Sequence, residues 1–408
     1  MPKVIILGAG ASKACPNTDP NRPMPLLRDL PGILNHFDPP SGFHLLGEYL
    51  NRLLAVTSGN IEELLTFMYR LNESFFMPRG QYLLDAKWID QILASSALPE
   101  VFVDPRETPV AIAVVEVLRK VASEEPQSGA RTFSPGNFFT TFQGALREYF
   151  SASIRTHPCP LHMRLFQDLN RNDCVASFNY DDIADHSLFA ARKLTPFSFQ
   201  GLGFEEILLP ARPISTEPLA IPGWQQRQQV IDTFNSVKFL KVHGSFTWWC
   251  CLKKMSDGQD GTIPVSSMSF LRQSPKGGLM VRYSLGDRDD ATNWDGWTFP
   301  PIIFPFLVKG SIYRENAIFA RHLAAFQNNL RWAEEIFLVG KSFQNSDHEL
   351  NGMIRWATFG DTRKVLHIVD PSKDSEFESF HCALFNARLG RRYASFEEYV
   401  NHSVSIRS

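Results

Sequence analysis

Val4-Ile5-Ile6-Leu7-Gly8-Ala9-Gly10-Ala11-Ser12 is the stretch that decides the fold. Four consecutive large aliphatic residues, most of them β-branched, read as a short strand buried on both faces, as in a parallel sheet. Gly8 and Gly10 then let the backbone turn sharply into a helix start, whose outward N–H groups suit an anion. The third glycine of the dinucleotide fingerprint is missing, because Lys13 stands at that position. No clear second strand ends in an acidic residue about 20 positions later, as that fingerprint requires. An ordinary dehydrogenase is therefore disfavoured. A tight strand-to-helix turn with no ligand is the competing reading of the glycines.

Further along the chain, strand patterns recur at Cys174 to Phe178, Val237 to Val242, Pro301 to Phe304, Glu335 to Val339 and Lys364 to Val369. Helical patterns lie between several of them, at Asp181 to Leu194, Arg314 to Ala333 and Ser346 to Phe359. This alternation predicts an α/β fold: a Rossmann-like parallel sheet with helices on both faces. Cys15 to Pro40 reads as a long loop and Leu252 to Asp295 as an irregular excursion. Residues 41–160 read as a large, mostly helical insertion within one domain spanning 1–408. There, Leu45, Leu46, Tyr49, Leu50, Leu53 and Leu54 recur at helical spacing. Asn60 is placed to cap a helix carrying Ile61, Leu64, Leu65, Met68 and Leu71. Pro109 suits the first turn of a helix running through Val121, and Asn137 to Ile154 reads as another.

The 44% hydrophobic and 21% charged fractions are those of a packed globular chain. A net charge of −2 gives no electrostatic reason for sequence-independent nucleic-acid binding. Arg388, Arg391 and Arg392 cluster near the end and read as solvated surface. Cys15, Cys159, Cys174, Cys250, Cys251 and Cys382 have no C-x-x-C spacing, so neither a cysteine zinc module nor a disulfide framework is expected. A cytoplasmic location is the reading of that cysteine usage. The run Val4 to Leu7 is too short for a signal-peptide core, and no segment approaches the about 20 apolar residues of a membrane helix.

Four pieces carry the candidate chemistry. The first is the turn Gly8, Ala9, Gly10, Ala11 and Ser12. The second is Ser177-Phe178-Asn179-Tyr180-Asp181-Asp182, where a strand ends and a helix begins, the edge at which open parallel sheets bind ligands. Asn179 offers amide donors and an acceptor there; Asp181 or Asp182 could instead cap the next helix. The third is Lys241-Val242-His243-Gly244-Ser245. His243 should reach the same edge, and an imidazole suits proton transfer from a ribose hydroxyl or water. The fourth is Val339-Gly340-Lys341-Ser342. Its Gly-Lys-Ser is no P-loop, since Glu335 occupies the position of the first glycine. Gly340 and Ser342 remain ribose or phosphate contacts, or a plain turn.

In this order the pieces resemble the sirtuin-like family, with Val369-Asp370-Pro371 as a weaker fifth. The resemblance implies that Gly8, Ala9, Gly10, Ala11 and Ser12 bind NAD⁺ phosphates, with Asp181, Gly340, Ser342 and Asp370 as further cofactor contacts. It implies that Asn179 orients the nicotinamide ribose and water, and that His243 is the base. The four-cysteine zinc module of the deacylases is absent, as is their Gly-Ile-Pro-Asp-Phe-Arg stretch. Pro23-Met24-Pro25-Leu26 stands roughly there, which is similar to bacterial sirtuin-like NADases of anti-phage defence.

The expected function is thus hydrolysis of NAD⁺, as substrate, to nicotinamide and ADP-ribose, in an abortive-infection effector with no metal ligands. A non-catalytic NAD⁺ or ADP-ribose-binding module and an NAD-dependent protein deacylase are the alternatives. The resemblance further implies restraint by a HerA-type translocase or another defence partner. A homo-oligomer is also expected, with contacts supplied by the Phe-rich insertion.

Overall fold

The computed structural model describes residues 2–38, 42–56, 59–66, 138–210, 235–256, 259–263, 279–285, 302–303, 309, 313, 316–343, 347–361, 363–372 and 374–405. In chain order the elements are β1 (Lys3–Leu7), α1 (Ala9–Lys13), a 3-10 helix (Leu27–His36), α2 (Gly42–Val56), α3 (Phe138–Ser153), α4 (Pro160–Gln167), β2 (Cys174–Ser177), α5 (Ile183–Ala190), a short second 3-10 helix (Pro196–Phe199), β3 (Glu206–Leu208), β4 (Lys238–Lys241), β5 (Trp248–Ser256), β6 (Gln259–Ile263), β7 (Leu279–Ser284), α6 (Ala317–Trp332), β8 (Glu335–Val339), α7 (His348–Thr358), β9 (Val365–Val369), α8 (Ser375–Leu384), β10 (Arg388–Tyr393) and α9 (Phe396–Ser405).

Two compact units emerge. One comprises Met1–Met24, Ser153–Ile303 and Lys309–Ser408; the bulk of the other is Pro25–Ala152. In the first, six strands form a sheet in the order β10-β9-β8-β1-β2-β4, every pairing parallel. Counted along the chain within that sheet, this is the doubly wound 3-2-1-4-5-6 arrangement read from the other side. Strand order reverses between β1 and β8, and ligands of open α/β sheets bind at such a switch point. Val4, Ile5, Ile6 and Leu7 are each at most 1% exposed, so β1 is covered on both faces, as its unbroken aliphatic run requires. Each such burial is worth about 1.5–3 kcal/mol relative to exposure.

Two expectations need correction here. The stretch Leu252 to Asp295 is not an irregular excursion throughout: β5, β6 and β7 build a second sheet with β3, in the order β3-β7-β5-β6. β5 pairs antiparallel with both β6 and β7. The Gly, Ser and Asp content of the connections hides this pattern, while buried Trp248, Val281 and Tyr283 anchor it. Arg388 and Arg391 are exposed, as expected of solvated surface, and with half-buried Arg392, which pairs with Glu378, they lie in β10. A charged, solvent-facing edge strand lacks the alternation that marks a strand in sequence, and its charges deter edge-to-edge pairing. The loop expected from Cys15 to Pro40 contains the 3-10 helix Leu27–His36, whose Leu30, Ile33 and Leu34 are buried.

In the second unit Leu46, Leu50 and Leu53 of α2 are buried, as are Phe142, Leu146 and Tyr149 of α3. Gly47 lets α2 meet the 3-10 helix closely: a Cβ there would lie 2.9 Å from that of Leu34. Asn60 caps as expected, its Oδ1 accepting from Glu62 N and Glu63 N at 3.1 and 3.2 Å. Met68, Leu71 and the helix expected from Pro109 to Val121 lie outside the described residues.

Candidate active site

One row of the parallel sheet contains the last residues of its strands: Tyr393, Val369, Val339, Leu7, Ser177 and Lys241 are successive partners. Asp370, Gly340 and Gly8 each follow this row by one residue; Asn179 and His243 follow it by two. The five motifs read from the sequence therefore leave the sheet at a single edge, and Gly8 and Gly340 flank the switch point.

The glycines there serve backbone-to-backbone packing. Gly8 N donates to Val339 O and Gly10 N to Gly340 O, each at 3.0 Å. A Cβ on Gly8 would lie 2.5 Å from Gly340 O, and one on Gly10 2.8 Å from Gly340 Cα. Gly340 has φ +57°, and its Cβ would lie 2.4 Å from Ala11 N. The amides of Gly8 and Gly10 are thus already bonded and cannot cradle a phosphate in this conformation. Gly340→Ala combines a left-handed backbone with overpacking and should destabilise by about 2–5 kcal/mol. Urea unfolding checks this; a change below about 1 kcal/mol would show that the two turns are not locked together.

Asn179 is buried and organises the turn. Its Nδ2 donates to Gly8 O at 2.9 Å and to Ser12 Oγ at 2.8 Å. Ser12 Oγ in turn donates to Asp181 Oδ2 at 2.8 Å. Since Gly8 O can only accept, the amide orientation is fixed. Both amide hydrogens are spent, and Oδ1 accepts from none of the described residues. The sequence reading offered Asn179 as donor and acceptor; the geometry leaves it an acceptor. Asp181 points inward, its Oδ1 also accepting from Ile183 N at 3.1 Å, and burial raises its pKa.

His243 stands edge-on to the Phe178 ring, centroids 5.0 Å apart, with the Tyr180 ring 6.5 Å away. Its Nε2 is buried and has no hydrogen-bond partner among the described residues. Burial, then the charges of Lys309 and Lys341, hold its pKa well below the usual imidazole value, so His243 is neutral. The sequence reading missed the groups around it. Lys309 Nζ pairs with Asp347 Oδ1 at 2.7 Å, both nearly buried, and Lys309 N donates to Glu349 Oε2 at 2.9 Å. Tyr180 donates its hydroxyl hydrogen to Ile303 O at 2.6 Å, and Ile303 N donates to His243 O at 2.7 Å. The dipeptide Asn179-Tyr180 was the available signal for Tyr180; Lys309 and Asp347 are 38 residues apart and carry none.

Beneath these groups lies a buried ion pair. Lys241 Nζ meets Asp185 Oδ2 at 2.9 Å and also donates to Asp181 O. Asp185 Oδ1 accepts from the Tyr283 hydroxyl at 2.9 Å. Lys241 N donates to His322 Nδ1 at 3.1 Å, so that nitrogen carries no proton, and burial holds the His322 pKa down to about 3. The unfolded chain protonates such a histidine below its ordinary 6.5 while the folded one does not. Stability is therefore lost as pH falls below 6.5, by about 1.4 kcal/mol per pH unit for each neutral-held histidine. Urea midpoints at pH 7 and 5 should show this loss. His322→Gln should reduce it, and an unchanged pH slope would contradict the account.

Two expected contacts lie apart from this centre. Asp370 sits two strands from β1, and its Oδ1 accepts from Ser372 N at 2.8 Å, closing a local turn. Ser342 is exposed, and its carbonyl accepts from Lys341 Nζ at 3.0 Å. Ala9 and Gly10 are half-buried, while Ala11 and Ser12 are buried.

No protein-family model matches the chain, and no curated protein matches it in sequence. Fold and site define its class by themselves: a doubly wound, Rossmann-like α/β protein whose polar groups gather at the carboxyl edge of the sheet beside the switch point. Among the described residues no helix is long and apolar enough to cross a membrane.

Proposed function

We propose that the chain binds NAD⁺ at this edge and hydrolyses it to nicotinamide and ADP-ribose. The observation that supports this best is the pairing of an acceptor, Asn179 Oδ1, with a neutral imidazole, His243, at equivalent positions beyond adjacent strands. In the proposed reaction the bond between the ribose and the nicotinamide nitrogen breaks, and its electron pair leaves with nicotinamide. Positive charge develops on the ribose. Water bonds to the same carbon, and its proton is released through a ribose hydroxyl to His243. Asn179 Oδ1 accepts from the attacking water and aims it. Such positioning lowers a barrier by several kcal/mol, which matters here because a depressed pKa makes His243 a weak base. Ala9 and Gly10 form the wall nearest the switch point. Following nicotinamide release from NAD⁺ tests the reading.

A second reading, a module that binds NAD⁺ or ADP-ribose without cleaving it, draws on the same low basicity of His243. It predicts tight binding with no nicotinamide at any pH. Deacylation of lysine peptides is weaker, since the cysteines lack the zinc-module spacing.

The resemblance to defence NADases extends the proposal to an abortive-infection effector held in check by an assembly, either a second copy or a HerA-type partner. Exposed Trp332, Trp356 and Phe359, 69%, 72% and 83% accessible at the ends of α6 and α7, support such a contact. Light scattering should read more than one copy per particle. A monomer at every concentration would count against self-assembly.

A further inference from the structure

We propose that His157, Asp182 and His186 form a binding site for a divalent transition-metal ion, Zn²⁺ in particular. The inference stands apart from the NAD⁺ reading. His157 Nε2 lies 3.5 Å from Asp182 Oδ1, and His186 Nε2 lies 3.4 Å from Asp182 Oδ2. One ligand atom from each residue falls within 4.8 Å of the others. The two imidazoles stack with centroids 3.8 Å apart and planes inclined by 22°.

Simple ion pairing explains this arrangement poorly. Neither contact reaches the 2.7–3.2 Å of an ordinary N–H···O hydrogen bond. Both are close to the roughly 3.3 Å ligand–ligand spacing of a tetrahedral site with bonds of 2.0–2.1 Å; they run to different oxygens of Asp182, so the carboxylate must turn one oxygen toward both rings. Asp182 also occupies the N-cap position of α5, yet its side chain makes no capping bond. Its neighbour Asp181 bonds Ile183 N instead, which leaves the Asp182 carboxylate turned to the two histidines. Asp182 and His186 are four residues apart, hence on one helix face.

The third ligand is held against them by the backbone. Thr156 O and Pro158 O, on either side of His157, both accept from Asn17 Nδ2, at 3.3 and 3.0 Å. Cys159 N donates to Ser187 Oγ on α5 at 3.2 Å. The side chains of His157, Asp182 and His186 are 28%, 33% and 26% exposed, so an ion can enter from solvent. Two imidazoles and one carboxylate select the zinc class over Mg²⁺ or Ca²⁺, and three protein ligands leave a position for water. Binding needs the stacked rings to tilt apart so that their lone pairs converge. A bound ion would clamp the segment before α4 to the start of α5, and with it the turn that bears Asn179 and Asp181.

The test uses the full chain, stripped with a chelator and titrated with Zn²⁺ by calorimetry, with Co²⁺ as the spectroscopic probe. Zn²⁺ should raise the Tm, and Co²⁺ should give visible bands of tetrahedral intensity. His157→Gln and Asp182→Asn, both chosen to preserve volume, should weaken this binding at least about 100-fold with unchanged circular dichroism. His44→Ala should bind as the parent does. Absence of Zn²⁺ binding in the parent, or full binding retained in both folded variants, would overturn the proposal.

Discussion

Alanine at His243 or at Asn179 is expected to lower nicotinamide release from NAD⁺ by about 10²–10⁴-fold, the range for loss of a positioned proton-transfer group. The two losses should have different origins. His243→Ala removes a neutral imidazole whose Nε2 makes no hydrogen bond among the described residues, but whose ring also bonds the Phe178 backbone and packs edge-on to the Phe178 ring. The cavity left by the buried ring should lower stability, and kcat should fall as well. Asn179→Ala removes two donors, from Gly8 O and Ser12 Oγ, as well as the acceptor Oδ1. Leaving buried partners unsatisfied costs about 1–3 kcal/mol, so this variant should also unfold more easily. Steady-state rates with thermal unfolding check both. Full activity in the two variants together would sink the catalytic assignment.

Asp185→Ala is the substitution expected to cost the most stability, about 3–5 kcal/mol, because it strands a buried ammonium. Among the described residues Lys241 Nζ would keep only the Asp181 carbonyl, and the Tyr283 hydroxyl would lose its Asp185 acceptor. The effect should reach the site as well. Lys241 is two residues before His243 and bonds the backbone of Asp181, so the pair ties the β4 exit to the Asn179 turn. Replacing the pair by apolar residues, as in Lys241→Met with Asp185→Leu, should recover much of the stability, since desolvation nearly cancels the attraction of buried pairs. Urea unfolding of the single and double variants measures this. A single variant as stable as the parent would mean the pair is not what holds these segments.

The central sheet was legible in the sequence because its inner strands are covered on both faces and so read as unbroken apolar runs. Val4 to Leu7 and Glu335 to Val339 show this plainly. β10 was not legible, since its edge position permits the charged Arg388, Arg391 and Arg392. The second sheet was hidden because its pairings join segments through Gly- and Ser-rich connections that read as loop. At the site, the strand-end position of Asn179 and His243 follows from pattern alone. Their surroundings do not: Lys309 with Asp347, and His157 with Asp182 and His186, meet only through the fold. The glycines were legible as a turn but not in their role, because the partner backbone of Gly8 and Gly10 is Gly340, more than three hundred residues away.

NAD⁺ cleavage at this sheet edge is decided by incubating the full chain with NAD⁺ and following free nicotinamide by proton NMR. The parent chain, separated from any restraining assembly, should release nicotinamide and ADP-ribose in equal amounts, and His243→Ala should leave NAD⁺ intact. NAD⁺ left intact by the parent, or released nicotinamide undiminished in His243→Ala, would contradict the proposal.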